Sequence, residues 1–189
     1  NYTLTRNIKK LSVGQVVYSS MCYENGFMFD DGTLLKLSDH GFRWVCGDEY
    51  AGEWLKEQAK KKNFKVIIKN STDQINNISV QGPNSRKILE KIIFTPPTQP
   101  TISELQWFRF TICRLEELNG IPLIVSRTGY TGELGYEVWC HPDHAPQVWD
   151  KVMEAGKNDG LIPAGFGALD LLRIEAGLVL FGNEFDGQQ

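Results

Sequence analysis

Residues 121–140 read IPLIVSRTGYTGELGYEVWC. IPLIVSRT enters as a strand and YEVWC leaves as one, so Gly129, Gly132 and Gly135 supply the positive φ angles and close approaches of a hairpin loop. The hairpin accounts for the glycines but not for Glu137. On the leaving strand Glu137 shares its face with Gly135 and Trp139, one small neighbour and one large aromatic. Such a face suits a flat heterocycle: a carboxylate can take two N–H bonds from an aminopyrimidine edge while tyrosines and tryptophan stack on the ring. Two readings stand at this point, a bare hairpin loop and a ligand-binding one.

Earlier in the chain, VVYSSMC (16–22) reads as a strand, and NGFMFDDGTLLKL as two strands around a turn at Asp31-Gly32. GFRWVCG predicts a further strand. Asp48 then caps a helix through YAGEWLKEQAKKKN, whose Ala51, Trp54, Leu55, Gln58 and Ala59 share a face. Lys60, Lys61 and Lys62 form its solvated end, at the negative pole of the helix dipole. Strands FKVIIK and INNISVQG follow, then a short helix NSRKILEKII.

FTPPTQPT, with three prolines, can be neither interior strand nor helix and marks a connection. It divides the chain into an expected first lobe, residues 1–95, and a second, 96–189. In the second, WFRFTICRL, IPLIVSRT and YEVWC alternate like paired strands. A helix over roughly Ala145 to Ala155 has Asp143 nearby as cap and stops at Gly156, and a last helix spans about Phe166 to Ala176. Strands joined mainly by hairpins, with helices between groups, indicate an α+β fold of antiparallel-rich sheets with flanking helices.

Two more stretches carry chemistry. Asp30 ends the apolar pattern Phe27-Met28-Phe29; it serves either the adjacent turn or, if partly buried, a substrate amine or a water. In LDLLRIEAGL, Leu169, Leu172 and Ala176 form an apolar stripe interrupted by Asp170, Arg173 and Glu175. Arg173 either pairs with Asp170 at the surface or, if buried, orients a carboxylate or ring carbonyl with its fixed fork.

Composition narrows the class. With 189 residues, 41% hydrophobic and 23% charged, the chain can bury a substantial core, and its net charge of -3 argues against nucleic acid as main partner. No apolar run reaches the ~20 residues that span a bilayer. The first residues lack the order of a secretory signal, so a soluble, cytoplasmic protein with no membrane partner is expected. Cys22, Cys46, Cys113 and Cys140 have no zinc-site spacing and read as reduced apolar residues, and no metal site is expected. The chain starts at Asn1 and stops at FDGQQ without an ending signal, as a piece of a larger protein would.

Taken in order, the Tyr-containing strand VVYSSM, the N-G-x-x-x-D-D segment, VQGPNS, RTGYTGELGYEV and LLRIEAGLVLFGNEFD are similar to the aminomethyltransferase family, the T-protein of the glycine cleavage system and its relatives. The likeness runs over about residues 5 to 186. It implies a folate-binding fold of several lobes with tetrahydrofolate as cofactor in a central channel, here without the family's N-terminal segment and C-terminal barrel. It also implies roles: Glu137 clamps the pterin's amino edge, Tyr130 and Arg173 line the same site, Tyr18 lies nearby, and Asp30 is the catalytic aspartate that positions the folate nitrogen and the incoming one-carbon group. The implied reaction is transfer of an aminomethyl or methyl group to tetrahydrofolate from a small-molecule or carrier-bound donor, the lipoyl carrier (H) protein among them.

The chain departs from the family in places. Gly47, in VCGDE, stands where T-proteins carry an asparagine. Phe27 replaces a common second glycine, and Leu34 stands at a position that accommodates an aromatic. GDEYAGEWLKEQA is similar to the family's tetrahydrofolate-dependent demethylases, which take methyl groups from oxygen or sulfur. An O- or S-demethylase and a non-catalytic folate-binding module are therefore the alternatives to an aminomethyl transferase.

Overall fold

A computed structural model describes residues 2–185 of the chain; Asn1, and residues 186–189 with the last residue of the FGNEFD motif, lie outside them. The chain divides into two compact units, residues 1–71 with 179–189, and residues 72–178. The proline stretch expected to separate two lobes at 95/96 lies inside the second unit. The reason is pairing: Asn76–Gln81, before the prolines, hydrogen-bonds along Gly135–Cys140, after them.

In the first unit, strands β1 (Val16–Cys22), β2 (Met28–Lys36) and β3 (Phe42–Cys46) form an antiparallel sheet in that order. The turn expected at Asp31-Gly32 is not there, because β2 runs straight through it. Gly32 pairs with Ser19 on one side and Cys46 on the other. A Cβ on Gly32 would sit 2.1 Å from the Val45 carbonyl oxygen, so the glycine permits close approach of β3 and makes no turn. The chain reverses instead at Tyr23–Phe27, where the Tyr23 and Phe27 backbones are bonded at 2.8 Å.

Helix α1 (Tyr50–Lys61) begins where Asp48 accepts the Tyr50 N–H at 2.7 Å. It buries Ala51 and Trp54 against Met21 and Phe29, with the Phe29 and Trp54 rings 4.7 Å apart. Its lysine end is exposed. FKVIIK, expected as a strand, forms no ladder, and Ile67 is 98% exposed. Its β-branched residues favour extended backbone, but a strand needs a partner edge that this segment does not meet.

The second unit holds a five-stranded antiparallel sheet of order β4-β8-β7-β6-β5, from β4 (Asn76–Gln81), β5 (Ile93–Phe94), β6 (Phe110–Leu115), β7 (Pro122–Ser126) and β8 (Gly135–Cys140). Side chains alternate across it. Ile78, Val80, Leu123, Val125, Tyr136 and Val138 face the core, where Leu89 of α2 (Ser85–Glu90) and Val148 and Val152 of α3 (Ala145–Gly156) close over them. Each such burial contributes about 1.5–3 kcal/mol. The opposite face is polar at the β4 end, with Asn77, Ser79, Glu137 and Ser126, and apolar toward β6, with Ile124, Ile112 and Phe110.

The last helix, α4 (Phe166–Glu175), reverses its expected polarity. Leu172 is 39% exposed and Ile174 52%, whereas Arg173 is 2% exposed. The pair with Asp170 and a bond to the Leu178 carbonyl offset the cost of burying this cation. The four cysteines are free, with Cys113 and Cys140 buried and Cys22 and Cys46 half-buried. No helix among the described residues is long and apolar enough to cross a membrane.

Candidate functional site

The polar face of the five-stranded sheet is built from alternate positions of three strands. Ladder register sets Ser79 and Ser126 on either side of Glu137, Asn77 beside Trp139, and Gln81 beside Gly135. Glu137 is half-buried there. Its Oε1 accepts from Asn77 Nδ2 at 2.8 Å, and its Oε2 accepts a short bond from the Thr128 hydroxyl. Thr128 lies 2.7 Å from the Ser126 hydroxyl, which in turn accepts from the Trp139 indole N–H at 3.1 Å. Every neighbour in this chain is a donor or hydroxyl suited to an anionic carboxylate.

The two roles the sequence suggests for these glycines are divided: Gly132 takes the positive φ, 75°, while Gly129 and Gly135 permit a close approach, and what approaches is a side chain of β4. A Cβ on Gly129 would lie 2.0 Å from Gln81 Oε1, and one on Gly135 only 1.6 Å. The Gln81 amide occupies the space both glycines leave, donating to the carbonyls of Thr128 at 3.3 Å and Tyr136 at 3.1 Å. Gly135 is therefore not an open slot for a ring. Tyr136, 0% exposed, points into the core with its hydroxyl accepting from Arg86, and cannot stack on a ligand from the Glu137 face. Tyr130 sits half-buried in the β7–β8 loop.

Arg173 takes the Asp170 pairing of one sequence reading and the burial of the other. It pairs with Asp170, Nε to Oδ1 at 2.8 Å, and its Nη1 donates to the Leu178 carbonyl at 3.3 Å, yet the guanidinium is buried. The loop carrying Tyr130 reaches the end of this helix, since a Cβ on Gly132 would meet the Ala176 side chain at 2.6 Å.

In the first unit Asp30 is 1% exposed. Its Oδ1 accepts from the Asp31 N–H at 2.8 Å and its Oδ2 from the Asp48 N–H at 3.4 Å. Burial raises its carboxyl above the ordinary aspartate value of 3.8, against the opposing pull of the Cys46 thiol and the two backbone amides. The same burial, with the Asp30 charge beside it, pushes the Cys46 thiol up to about 12, which makes it a hydrogen-bond donor and not a nucleophile. Gly47 leaves room: a Cβ there would lie 3.8 Å from Asp30 Oδ1, with no other atom within 4 Å. Asp30 thus lies within a strand and supports no turn.

Tyr18 is separated from Asp30. Its hydroxyl donates to Asp31 at 2.7 Å, and the pairing of Ser20 with Asp31 and Met21 with Asp30 puts Tyr18 and Asp30 on opposite faces of the sheet.

Sequence reasoning missed Cys46, Gln81, Asn77, Ser126 and Thr128. For the β4 residues a signal existed: in NNISVQ, polar residues at 77, 79 and 81 alternate with Ile78 and Val80, marking a polar sheet face. For Ser126 and Thr128 no local pattern separates a site hydroxyl from a loop hydroxyl.

Comparison with known proteins is consistent along the whole chain. The chain is 53% identical over 187 residues to a trimethylamine-oxide aldolase of Ruegeria pomeroyi, covering 99% of this chain and 24% of that protein. It is 39% identical over 186 residues to an aminomethyltransferase of Halothermothrix orenii, covering 97% of this chain and 49% of that one. The fold matches the crystal structure of the glycine cleavage system aminomethyltransferase T from Bartonella henselae with a TM-score of 0.75 at 24% identity, over 98% of this chain and 47% of that chain. The chain thus spans about half the length of the aminomethyltransferases it matches, and less of the aldolase. The profile of the GCVT N-terminal domain covers residues 1–189, and the chain belongs to that family.

Proposed function

We propose that this chain is the folate-binding part of a one-carbon transferase, with Glu137 receiving the amino edge of the pterin of tetrahydrofolate. The observation that carries this reading is the state of the Glu137 carboxylate. Each oxygen is engaged by one donor of the protein, Asn77 or Thr128. An ionised carboxylate has about four lone-pair positions, so a second acceptor position remains on each oxygen for a pair of ligand N–H groups. The donor set fits the group.

When bound, tetrahydrofolate supplies a nitrogen nucleophile for the one-carbon unit. The chain's own part is to bind and to move a proton. In this reading Glu137 orients the ring, Tyr130 and Arg173 line the same ligand, and Tyr18 lies at its periphery. Asp30, whose carboxyl holds its proton more firmly than an ordinary aspartate, is suited to exchange a proton with the reacting nitrogen or with the amine that leaves. Positioning of this kind lowers a barrier by converting an encounter into a single-molecule step.

Two donors are favoured by particular observations. The aminomethyltransferase relatives favour an aminomethyl group presented by a lipoyl carrier (H) protein. The aldolase relative, together with the free space at Gly47 beside Asp30, favours a one-carbon unit taken from a methylated amine oxide. The aminomethyl carbon is at the oxidation level of formaldehyde, and a methyl of an amine oxide reaches that level when its carbon gives two electrons to the N–O bond, the oxygen leaving as water and the C–N bond breaking to release the amine, so one folate site serves either. The reading is tested by titrating the chain with tetrahydrofolate in a calorimeter, then assaying the whole protein with tetrahydrofolate against aminomethylated carrier protein, trimethylamine oxide, a methoxy-aromatic acid and a methylated sulfur compound. Binding with turnover of either of the first two is expected; absence of folate binding overturns the reading, and turnover of only the last two replaces it with demethylation.

A further inference from the structure

We infer that Trp139, Ser126 and Thr128 form a one-way donor chain that fixes the Glu137 carboxylate for ligand recognition, with Thr128 as the positioning residue. The inference rests on the folate reading of Glu137 and adds residues and a direction to it.

The direction follows from what each group can do. An indole N–H only donates, so Ser126 Oγ accepts from Trp139 Nε1 at 3.1 Å. An ionised carboxylate only accepts, so the Thr128 hydroxyl proton points to Glu137 Oε2. The 2.7 Å contact between Ser126 and Thr128 is then donated by Ser126. All three bonds run toward Glu137.

Solvent does not compete along this path, because Ser126 is 1% exposed, Thr128 5% and Trp139 7%. Each hydroxyl that both accepts and donates is polarised by the bond behind it, which strengthens the bond ahead. Asn77, exposed, holds the other carboxylate oxygen from the neighbouring strand. The carboxylate plane is thereby set from strand β4 and from the loop that follows β7, and its free acceptor positions keep a constant direction. None of Trp139, Ser126 and Thr128 needs to touch the ligand to govern how well it is recognised.

The test compares two probes by calorimetry: tetrahydrofolate, and its analogue carrying a methyl in place of the pterin 2-amino group. Their affinity ratio reports the carboxylate-to-amine contact and is not moved by a general loss of stability. In the unmodified chain a preference of about tenfold or more for tetrahydrofolate is expected, the worth of a charge-assisted bond. Thr128→Val should bring the ratio close to one, Thr128→Ser should restore it, and Trp139→Phe, which keeps an aromatic ring but removes the N–H, should lower it part of the way. If Thr128→Val does not melt cooperatively, Trp139→Phe decides. A ratio unchanged in Thr128→Val or, where that variant fails to fold, in Trp139→Phe, while Glu137→Gln abolishes it, overturns the donor chain and leaves the folate reading standing. No preference in the unmodified chain overturns both.

Discussion

The side-chain amide of Gln81 lies in the space that Gly135 leaves by having no side chain: a Cβ at 135 would come within 1.6 Å of Gln81 Oε1. The Gln81 Nε2 also bonds the Tyr136 carbonyl at 3.1 Å, so this glutamine stitches β4 to β8 beside the Glu137 carboxylate. Gly135→Ala should therefore destabilise by about 1–3 kcal/mol, the usual cost of overpacking. In Gln81→Ala the added methyl of Gly135→Ala should cost less, so a double-mutant cycle by urea denaturation should show positive coupling. Additive effects would mean that the glutamine does not set the glycine.

Glu137→Gln removes the charge while keeping the shape. Tetrahydrofolate affinity should fall by roughly 1.5–3 kcal/mol, as expected for losing a charge-assisted hydrogen bond. Titration calorimetry decides; an unaltered dissociation constant would remove Glu137 from the ligand contact.

For Asp30 the expected separation is between binding and turnover. Asp30→Asn should leave tetrahydrofolate bound and abolish one-carbon transfer in the whole protein, because an amide cannot exchange a proton in the carboxyl range. Normal turnover in the variant would show that the proton moves elsewhere.

Asp30 also makes a prediction about pH. Its folded value is raised above 3.8 by burial, so the folded state binds more protons than the unfolded one in the window that opens at that value. The stabilising contribution is complete below it and is lost as pH rises through the folded value. Asp30→Asn lacks this term, so the stability of the unmodified chain relative to the variant should decline as pH rises from about 4. Parallel denaturation curves at a series of pH values would show it; a difference that grows with pH contradicts the burial effect.

The pairing of Arg173 with Asp170 differs from an ordinary surface i,i+3 pair because the guanidinium is 2% exposed. Asp170→Ala withdraws a partner from a buried cation and should destabilise by about 1–3 kcal/mol. Glu175→Ala, at an exposed position of the same helix, should change stability by less than about 0.5 kcal/mol. Chemical denaturation of the two variants side by side checks the contrast.

What the sequence by itself determined is the part written in local periodicity. The alternation in WFRFTICRL, IPLIVSRT and YEVWC predicted β6, β7 and β8, and the apolar spacing after Asp48 predicted α1, although the cap position falls at Glu49, with Asp48 one residue before it accepting the Tyr50 N–H. Ordered motifs from VVYSSM to LRIEAG carried the family resemblance that the comparisons establish. Local pattern failed where a residue serves a distant neighbour. The pair Asp31-Gly32 has the composition of a turn, but Gly32 answers to Val45 on the next strand. FKVIIK has the composition of a strand and no edge to join.

Tertiary structure alone decided the rest. Glu137 takes its Oε1 partner from Asn77, sixty positions away in the chain, and Gly135 its reason from Gln81. The physical cause is common to both. A strand's own residues set which side chains share a face, but which strand lies alongside, and in what register, is set by the packing of the whole unit, and the groups that meet Glu137 and Gly135 come from that neighbour. Arg173 is a separate case: its partner Asp170 was legible three positions away, but its burial was not.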